Sequence, residues 1–377
     1  MSESGDLRAH HSTALSIRQS KGFHLVTLLV LLYAFLVSIG MLGKAFKMFS
    51  GGFVGGLIES ASIPLLGLFV GILATTLVQS SSTTTSLVVA LVGSGSMPID
   101  TAIPIVMGAN IGTSVTNTLV SLGHVTRGQE FARAFAASTV HDFFNLLAVV
   151  ALFPLQMATN FLGVLSSQMT SLFAEVGGLT FASPIKLLTG PAVTAAAAFL
   201  EGHPWLLLIS ALVVMFGSLR YLVVILKSIV LGRVEAFFDQ TLFANAGRAM
   251  LFGLLITVLV QSSSITTSLA VPLAGAGILT LTQIFPYTLG ANIGTTITAI
   301  LAALAVGEVS AVAVAFAHLL FNICGIAVIW PVAAIRRIPQ RLSRSLAAVA
   351  ADHRWIAIGY IVVCFYVVPF AAIVILS

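Results

Sequence analysis

The sequence predicts an all-α polytopic membrane protein made of two inverted-topology repeats, each with a re-entrant helical hairpin and a discontinuous transmembrane helix. The chain of 377 residues is 58% hydrophobic and only 8% charged, whereas soluble domains are roughly 25% charged. Several apolar stretches approach the ~20 residues that an α-helix needs to cross a membrane. Two polar motifs also occur twice in the same order, which indicates an internal duplication.

The two motifs show the duplication directly. Residues 77–88 read LVQSSSTTTSLV and residues 259–270 read LVQSSSITTSLA, so that 10 of 12 positions agree. The motif GANIGT at 108–113 recurs unchanged at 290–295, and both pairs are separated by 182 residues. Because the two spacings are equal, the repeats share one continuous register.

The repeat extends over most of the chain. A third pattern, His-x-x-Phe-Asn, begins at His141 and again at His318, at a spacing of 177 residues. The predicted parts are a cytoplasmic N-terminal segment (1–21), repeat 1 (22–157), an extracellular or periplasmic linker (158–204), repeat 2 (205–334), and a cytoplasmic connector with the final transmembrane helix (335–377).

The Gln-Ser-Ser-Ser motifs lie in segments of unusual length, 64–95 and 248–277. Each segment is too long for one membrane span and too short for two spans with a turn. Two arms of about 14 residues would each reach only ~21 Å, which is less than the ~30 Å thickness of the hydrocarbon core. Both segments are therefore predicted to be re-entrant hairpins whose turns lie inside the membrane.

The GANIGT motifs lie near the middle of two stretches that can each span once, 99–122 and 281–304. Glycine and asparagine lower helix propensity and leave backbone groups free for other contacts. We therefore expect a discontinuous helix in both repeats. Irregular backbone at membrane depth is tolerated only where protein buries it or where it lines an aqueous cavity.

Uninterrupted apolar stretches supply the other crossings. The predicted spans are 22–42, 131–155, 205–226, 309–334 and 355–376. With the two broken helices, each repeat crosses three times, and an odd number inverts the second repeat if the linker does not itself cross. Seven crossings in total place the two chain ends on opposite sides of the membrane.

The distribution of basic residues orients this topology. Fourteen Lys and Arg residues fall on the N-terminal side, including Arg220 near a helix end, and only Lys44, Lys47 and Lys186 fall on the other side. Cytoplasmic loops carry the excess of basic residues in membrane proteins. The N-terminus is therefore predicted to be cytoplasmic and the C-terminus external.

The duplicated polar motifs need either an occupant or mutual partners, because unsatisfied polar groups in hydrocarbon are costly. One reading is that their hydroxyls join helices together. Their duplication in register favours a binding site instead. Hydroxyl, amide and carbonyl oxygens suit Na+, and N–H groups at helix N-termini suit an anion. No Lys or Arg lies in the motifs, so co-bound cations would neutralise the anion and couple the two.

Asp142 lies well inside the span 131–155, and an intramembrane carboxylate is a functional candidate by default. A local pair with His141 or a protonated, hydrogen-bonded acid is the structural alternative. The corresponding residue in repeat 2 is Leu319, so the repeats are not equivalent here. The two motif histidines, each followed by an asparagine four residues on, are expected to support the broken helices rather than to bind a metal.

Composition and motifs also weigh against other classes of protein. The net charge of +5 comes from scattered residues, which does not indicate a nucleic-acid partner. Cys324 and Cys364 are too few for a disulfide framework or a cysteine metal site. An intramembrane serine hydrolase would need a base near its nucleophile, and neither serine motif contains a histidine. A channel remains a further alternative.

The paired QSSS and GANIGT motifs and the segment TVHDFFN at 139–145 resemble the type II sodium-dependent phosphate cotransporters. The resemblance covers roughly 22–376. It implies a transporter, not an enzyme, that carries inorganic phosphate inward with Na+ as coupling ion and without a cofactor or transition metal. An acid at Asp142 resembles the electrogenic members. The short linker 158–204 has no cysteine, which favours a bacterial member in the inner membrane.

The resemblance also implies which residues bind. For phosphate they are Gln79, Ser80, Ser81, Ser82, Asn110, Gly112, Thr113, Gln261, Ser262, Ser263, Ser264, Asn292, Gly294 and Thr295. For sodium they are Gln79, Thr84, Thr85, Ser86, Asp142, Gln261, Thr266, Thr267 and Ser268. Hydroxyl and amide ligands do not fix the identity of an anion, so sodium-coupled uptake of arsenate, another small oxyanion or a carboxylate stays open.

Overall fold

The computed structural model describes residues 21–49, 63–175, 178–237 and 240–377, and all regular elements in these ranges are helices. Six of them are long and apolar enough to cross a membrane. The predicted class, an all-α polytopic membrane protein, is confirmed. The predicted cytoplasmic segment 1–21 lies outside the described residues except for its last position.

Repeat 1 contains six of the helices. They are α1 (Lys21–Met48), α2 (Pro64–Val78), α3 (Ser81–Gly93), α4 (Ile99–Thr113), α5 (Val115–Ser121) and α6 (Gly128–Thr159), with a 3-10 turn at Leu122–His124. The predicted linker contains two helices, α7 (Phe161–Glu175) and α8 (Gly178–Phe199). Since α7 packs against the helix Val309–Ile329 and α8 packs against α1, this segment belongs to the helical assembly.

Repeat 2 follows the same order. Its helices are α9 (Pro204–Phe237), α10 (Gln240–Phe243), α11 (Ala246–Val260), α12 (Ser263–Gly275), α13 (Leu281–Val306) and α14 (Val309–Ile329). The chain then forms α15 (Ala333–Asp352), α16 (Trp355–Val362), a π-helical turn (Val363–Val367) and α17 (Val368–Leu376). The single spans predicted from apolar stretches thus correspond to α1, α6, α9, α14 and the α16–α17 pair.

Both Gln-Ser-Ser-Ser motifs form the turn of a helical hairpin. In each hairpin the first arm has 15 residues and the second has 13. Gln79 and Gln261 end the first arms with φ of 56° and 55°. Ser80 and Ser262 then cap the second arms, and each hydroxyl accepts a hydrogen bond from a backbone N–H three residues on. The depth of these hairpins in a membrane and the inversion of repeat 2 stay predictions.

The GANIGT motifs do not break their helices. In repeat 2, α13 is continuous through 290–295, so the prediction of a discontinuous helix at 281–304 is wrong. In repeat 1 the chain is interrupted only at Ser114, one residue after the motif. The stretch 99–122 is therefore divided into α4 and α5, but not at its glycines.

These glycines serve close packing rather than helix interruption. A Cβ at Gly108 would lie 1.9 Å from a carbonyl oxygen of α2, and a Cβ at Gly290 would lie 1.8 Å from one of α11. Gly71 and Gly253 make the reciprocal contacts at 2.0 and 2.1 Å. Each hairpin's first arm can thus lie against the following helix at backbone distance, which no larger residue would allow.

Candidate functional site

The turns of the two hairpins line one cavity of about 330 Å³. Gln79, Ser80 and Thr83 face it from repeat 1, and Ser262 and Ser264 face it from repeat 2. The N-termini of α3 and α12 therefore converge on the same space, and helix N-termini present N–H groups and a partial positive charge.

The opposite wall of the cavity belongs to α9 and includes an arginine. Phe216, Leu219, Arg220 and Val223 line it. Arg220 lies about midway along α9, which corrects the expectation that it lies near a helix end. Its guanidinium has neither an ion pair nor a hydrogen bond within the part of the chain that the structure describes. Arg220 is exposed, and the cavity thus contains one positive charge that no described residue neutralises.

The two motifs do not indicate Arg220, because no positive charge lies within them. A signal was present in the sequence, since Arg220 is the one charged residue within the apolar stretch 205–226. An ionisable residue within a membrane span is itself a functional candidate. The contact between α9 and the hairpin turns, however, is a tertiary feature.

The two turns differ in how they are held. The Thr298 hydroxyl on α13 donates to Gln261 Oε1 at 2.9 Å and fixes the second turn. Thr116, at the equivalent position, lines the cavity, and its buried Oγ1 has no hydrogen-bond partner among the described residues. Gln79 is exposed. The turn of repeat 1 is thus open to the cavity, while that of repeat 2 is tied to its neighbouring helix.

The other residues predicted to bind phosphate lie behind the cavity wall. Gly112 and Gly294 pack against the first hairpin arms, and Ser264 donates to the Thr113 carbonyl oxygen at 3.4 Å. The residues absent from the wall are Ser81, Ser82, Asn110, Gly112, Thr113, Gln261, Ser263, Asn292, Gly294 and Thr295. Their contact with a substrate stays a prediction.

A network of asparagines connects the repeats behind the cavity. Asn292 Nδ2 donates to Asn145 Oδ1 at 2.8 Å, and Asn145 Nδ2 donates to the Asn110 carbonyl oxygen at 2.7 Å. His141 Nε2 also contacts Asn292 Oδ1. Within the described ranges no cluster of three or more His, Cys, Asp or Glu side chains could hold a metal ion. These contacts join α6 to α4 and α13, the helices that carry the GANIGT motifs. A supporting role of the two motif histidines stays a prediction.

Asp142 lies beside the interruption between α4 and α5 and is 3% exposed. Its Oδ2 accepts hydrogen bonds from Thr118 Oγ1 at 3.3 Å and from the Tyr360 hydroxyl at 3.0 Å, and the Ser114 side chain also contacts this carboxylate. Its Oδ1 is buried with no hydrogen-bond partner among the residues described. A buried carboxylate with one free oxygen has room for a cation or a proton.

Tyr360 is a second residue that the sequence did not indicate. It lies on α16, in the last span, more than two hundred residues from Asp142 in the chain. Nothing in the motifs relates the two positions. Only the packing of the last span against the repeats brings this hydroxyl to the carboxylate.

The predicted sodium residues of the two repeats are placed differently. Thr267 Oγ1 and Ser268 Oγ both donate to Asn117 Oδ1 at 2.9 Å, next to Thr118 in the Asp142 cluster. Threonine hydroxyls of both hairpins also contact carbonyl oxygens within their own turns. Thr85 and Thr267 contact the first residue of their helices, and Thr84 and Thr266 contact the preceding cap serine. Ser86 Oγ is buried and, within the described ranges, unpaired.

The chain is similar to known proteins over most of its length. The model of a family described as Na+/Pi-cotransporter matches residues 34–182 and 214–328. Sodium-dependent phosphate transport protein 2B of Homo sapiens is 34% identical over 442 residues, covering 92% of this chain and 64% of that protein. Sodium-dependent phosphate transport protein 2A of Ovis aries is 35% identical over 422 residues, covering 91% and 66%.

The chain thus spans about 64% to 66% of the length of these relatives. No solved structure matches it. The family match covers more than half of the chain and includes both hairpins, both GANIGT motifs and Asp142. The chain therefore belongs to the Na+/Pi-cotransporter family.

Proposed function

We propose that this protein is a transporter, not an enzyme, that carries inorganic phosphate into the cell together with Na+ and moves net charge in each cycle. The observation that carries the proposal is the cavity that both hairpin turns share with Arg220. Membership of the Na+/Pi-cotransporter family and the names of the relatives support both the anion and the coupling ion.

Phosphate would lie between the hairpin turns and Arg220. The α3 and α12 N-termini offer backbone N–H groups, and the hydroxyls of Ser80, Thr83 and Ser264 line the same space. The guanidinium adds a planar, charged donor that suits phosphate oxygens. A tetrahedral oxyanion accepts hydrogen bonds in several directions, which a cavity with donors on opposite walls can satisfy.

The charge of the site explains why phosphate would need sodium. The phosphate dianion carries two negative charges, and Arg220 supplies one positive charge. One negative charge then remains in a site between membrane-spanning helices, where an uncompensated charge is costly. A bound Na+ neutralises it, so that neither phosphate nor Na+ binds well alone.

A further Na+ would bind at Asp142. The free Oδ1 of this carboxylate and the hydroxyls of Ser114, Thr118 and Tyr360 are oxygen ligands of the kind that hard cations prefer. This Na+ would balance the charge of Asp142 itself when bound. Arg220 is not carried across the membrane, so the cycle moves net charge when two Na+ accompany the phosphate dianion and the Na+ at Asp142 is transported in addition.

The position of the cavity supports an inward-facing state. It lies along Phe216 to Val223, on the part of α9 that runs toward the side with the excess of basic residues. The exposed Leu77 and Val78 at the end of α2 border the same space. In this reading the protein is a multi-pass protein of the plasma membrane that releases phosphate on this cytoplasmic side.

Uptake of labelled phosphate into proteoliposomes tests the proposal. Proteoliposomes that contain the purified protein should accumulate phosphate when Na+ is applied outside. The uptake should stop when choline replaces Na+. Unlabelled arsenate should compete because it shares the tetrahedral geometry, whereas a simple carboxylate such as acetate should not. Uptake that continues in choline would overturn the sodium coupling, and stronger competition by acetate than by arsenate would overturn the choice of anion.

A further inference from the structure

Helix α15 connects α14 to the last span and buries only one of its faces. Pro339, Ser343, Ala347 and Ala350 lie against the rest of the protein, mainly against α6. Most of the remaining side chains are exposed. The exposed part of the helix divides into a basic face and an apolar face.

The basic face lines a separate cavity of about 440 Å³. The residues around it are Thr282, Arg336, Arg337, Gln340, Arg341 and Arg344. No carboxylate pairs with these four arginines in the described ranges, where the ion pairs lie at Lys47 and at Glu130. Four positive charges around one space favour an anionic ligand.

Three further features characterise the lining of this cavity. Arg336 Nη1 donates to the Trp330 carbonyl oxygen at 3.2 Å, and its guanidinium lies 4.7 Å from the centre of the Trp330 ring. Gln340 is 7% exposed, and its side-chain amide makes no hydrogen bond to any residue that the structure describes. Thr282 belongs to the first turn of α13, whose N-terminus favours negative charge.

The apolar face indicates where that ligand comes from. Ile338, Leu342 and Val349 are 37%, 46% and 48% exposed and follow one another at helical spacing beside the basic face. Trp330 stands at one end of the helix, and Trp355, which is 71% exposed, stands just beyond the other. A helix with basic and exposed apolar faces, flanked by tryptophans, is typical of the membrane interface.

We propose that this cavity binds the phosphate headgroup of an anionic phospholipid on the cytoplasmic side of the membrane. The arginines and Gln340 hold the headgroup, while the acyl chains extend along the apolar face of α15. None of the residues around it lines the cavity between the hairpin turns. The inference is therefore independent of the transported substrate.

Native mass spectrometry of the full-length protein, released from detergent with added lipid, tests the proposal. Phosphatidylglycerol should remain bound in preference to phosphatidylcholine, and this comparison needs no variant. The double variant R337Q/R341Q should retain roughly tenfold less phosphatidylglycerol, since each basic residue contributes to binding of an anionic lipid. The matched control is R248Q/R354Q, which removes the same charge from other exposed positions and should retain it fully.

Several outcomes would overturn the lipid site. They are equal retention of the two lipids by the wild type, and an equal loss of phosphatidylglycerol in the two double variants. Inorganic phosphate is the competing occupant, because it offers the same oxygens. In the competing test, inorganic phosphate is added to the wild type at the same concentration as phosphatidylglycerol. If it displaced the lipid, the cavity would be a free-phosphate site and the lipid assignment would be wrong.

Discussion

In repeat 2 the helix that follows the hairpin is continuous, whereas in repeat 1 the equivalent chain is divided at Ser114. The interruption brings Ser114 and Thr118 beside Asp142. At the repeat spacings these residues correspond to Thr296, Ile300 and Leu319. The duplicated scaffold thus keeps its helices in both halves but places the buried carboxylate and its interrupted helix in only one.

The basic residue of the cavity occurs in the other repeat. Arg220, which lines the cavity between the turns, belongs to repeat 2, while Asp142 belongs to repeat 1. Each repeat therefore contributes one ionisable group that the other lacks. The comparison teaches that duplication supplies the shared polar turns, whereas the two side chains to which we assign anion and cation binding each belong to one repeat only.

The hydrogen bonds of the two repeats are also unequal. His141 contacts Asn292 across the repeats, whereas both ring nitrogens of His318 and Oδ1 of Asn322 are buried and unpaired among the described residues. The Asn110 side chain instead donates to the Val106 carbonyl oxygen of its own helix at 3.0 Å. If the repeats exchange conformations during alternating access, the outward-facing state would pair His318 with Asn110 and release His141.

The largest effect is expected at Arg220. Replacing it by glutamine should lower phosphate uptake about 10-fold to 100-fold, because the anion loses a charged donor and a hydrogen bond to a charged group contributes about 1.5 to 3 kcal/mol. Arg220→Lys keeps the charge and should retain part of the activity. Arg248→Gln removes an exposed arginine of the same repeat and should leave uptake unchanged. Equal uptake by Arg220→Gln and the wild type would show that Arg220 does not bind phosphate.

The carboxylate of repeat 1 should control charge movement rather than phosphate binding. Asp142→Gly is expected to retain phosphate uptake and to lose net charge transfer, because the additional Na+ has lost its carboxylate. The measurement is the ratio of charge to phosphate in proteoliposomes at controlled membrane potential. An unchanged current per phosphate in this variant would refute the role of Asp142.

Tyr360→Phe isolates one hydrogen bond of the Asp142 cluster while keeping the ring. We expect the Na+ concentration for half-maximal uptake to rise about tenfold, since a hydrogen bond to a charged group contributes about 1.5 to 3 kcal/mol, with little change at saturating Na+. Tyr366→Phe on the same span is the control, since no contact of Tyr366 with the carboxylate exists in the described structure. A similar change in both variants would mean that packing, not ligation, is affected.

The smallest expected effect is a difference in stability between variants of Asn145 and Asn322. Asn145→Ala removes two hydrogen bonds between helices, whereas Asn322→Ala removes a side chain that bonds only its own helix within the described structure, through Nδ2 to the His318 carbonyl. The midpoint temperature of thermal unfolding in detergent should fall by about 3 to 6 °C more for Asn145→Ala, because the lost hydrogen bonds contribute about 1 to 3 kcal/mol to the free energy of unfolding. Equal shifts would show that Asn145 and Asn322 make equally stabilising hydrogen bonds in solution.

The hairpins could be predicted because the duplication fixed their limits and their lengths excluded other shapes. The GANIGT motifs show where local reasoning fails. Helix propensity indicated a break, but tertiary packing decided the outcome, since Gly108 and Gly290 meet neighbouring backbone that a Cβ would overlap. Arg220 and Tyr360 reach their clusters through contacts between distant helices, which no motif or spacing in one sequence reveals.

The most direct test of the account is equilibrium binding of phosphate to the purified protein, because its central claim is that both repeats form one site. Binding should require Na+ and should weaken to a similar extent, about tenfold, in Ser80→Ala and in Ser262→Ala, since each removes a hydroxyl and weakens a helix N-terminus at the cavity. Loss of binding in only one of these variants, or undiminished binding in choline, would contradict a shared, sodium-coupled site.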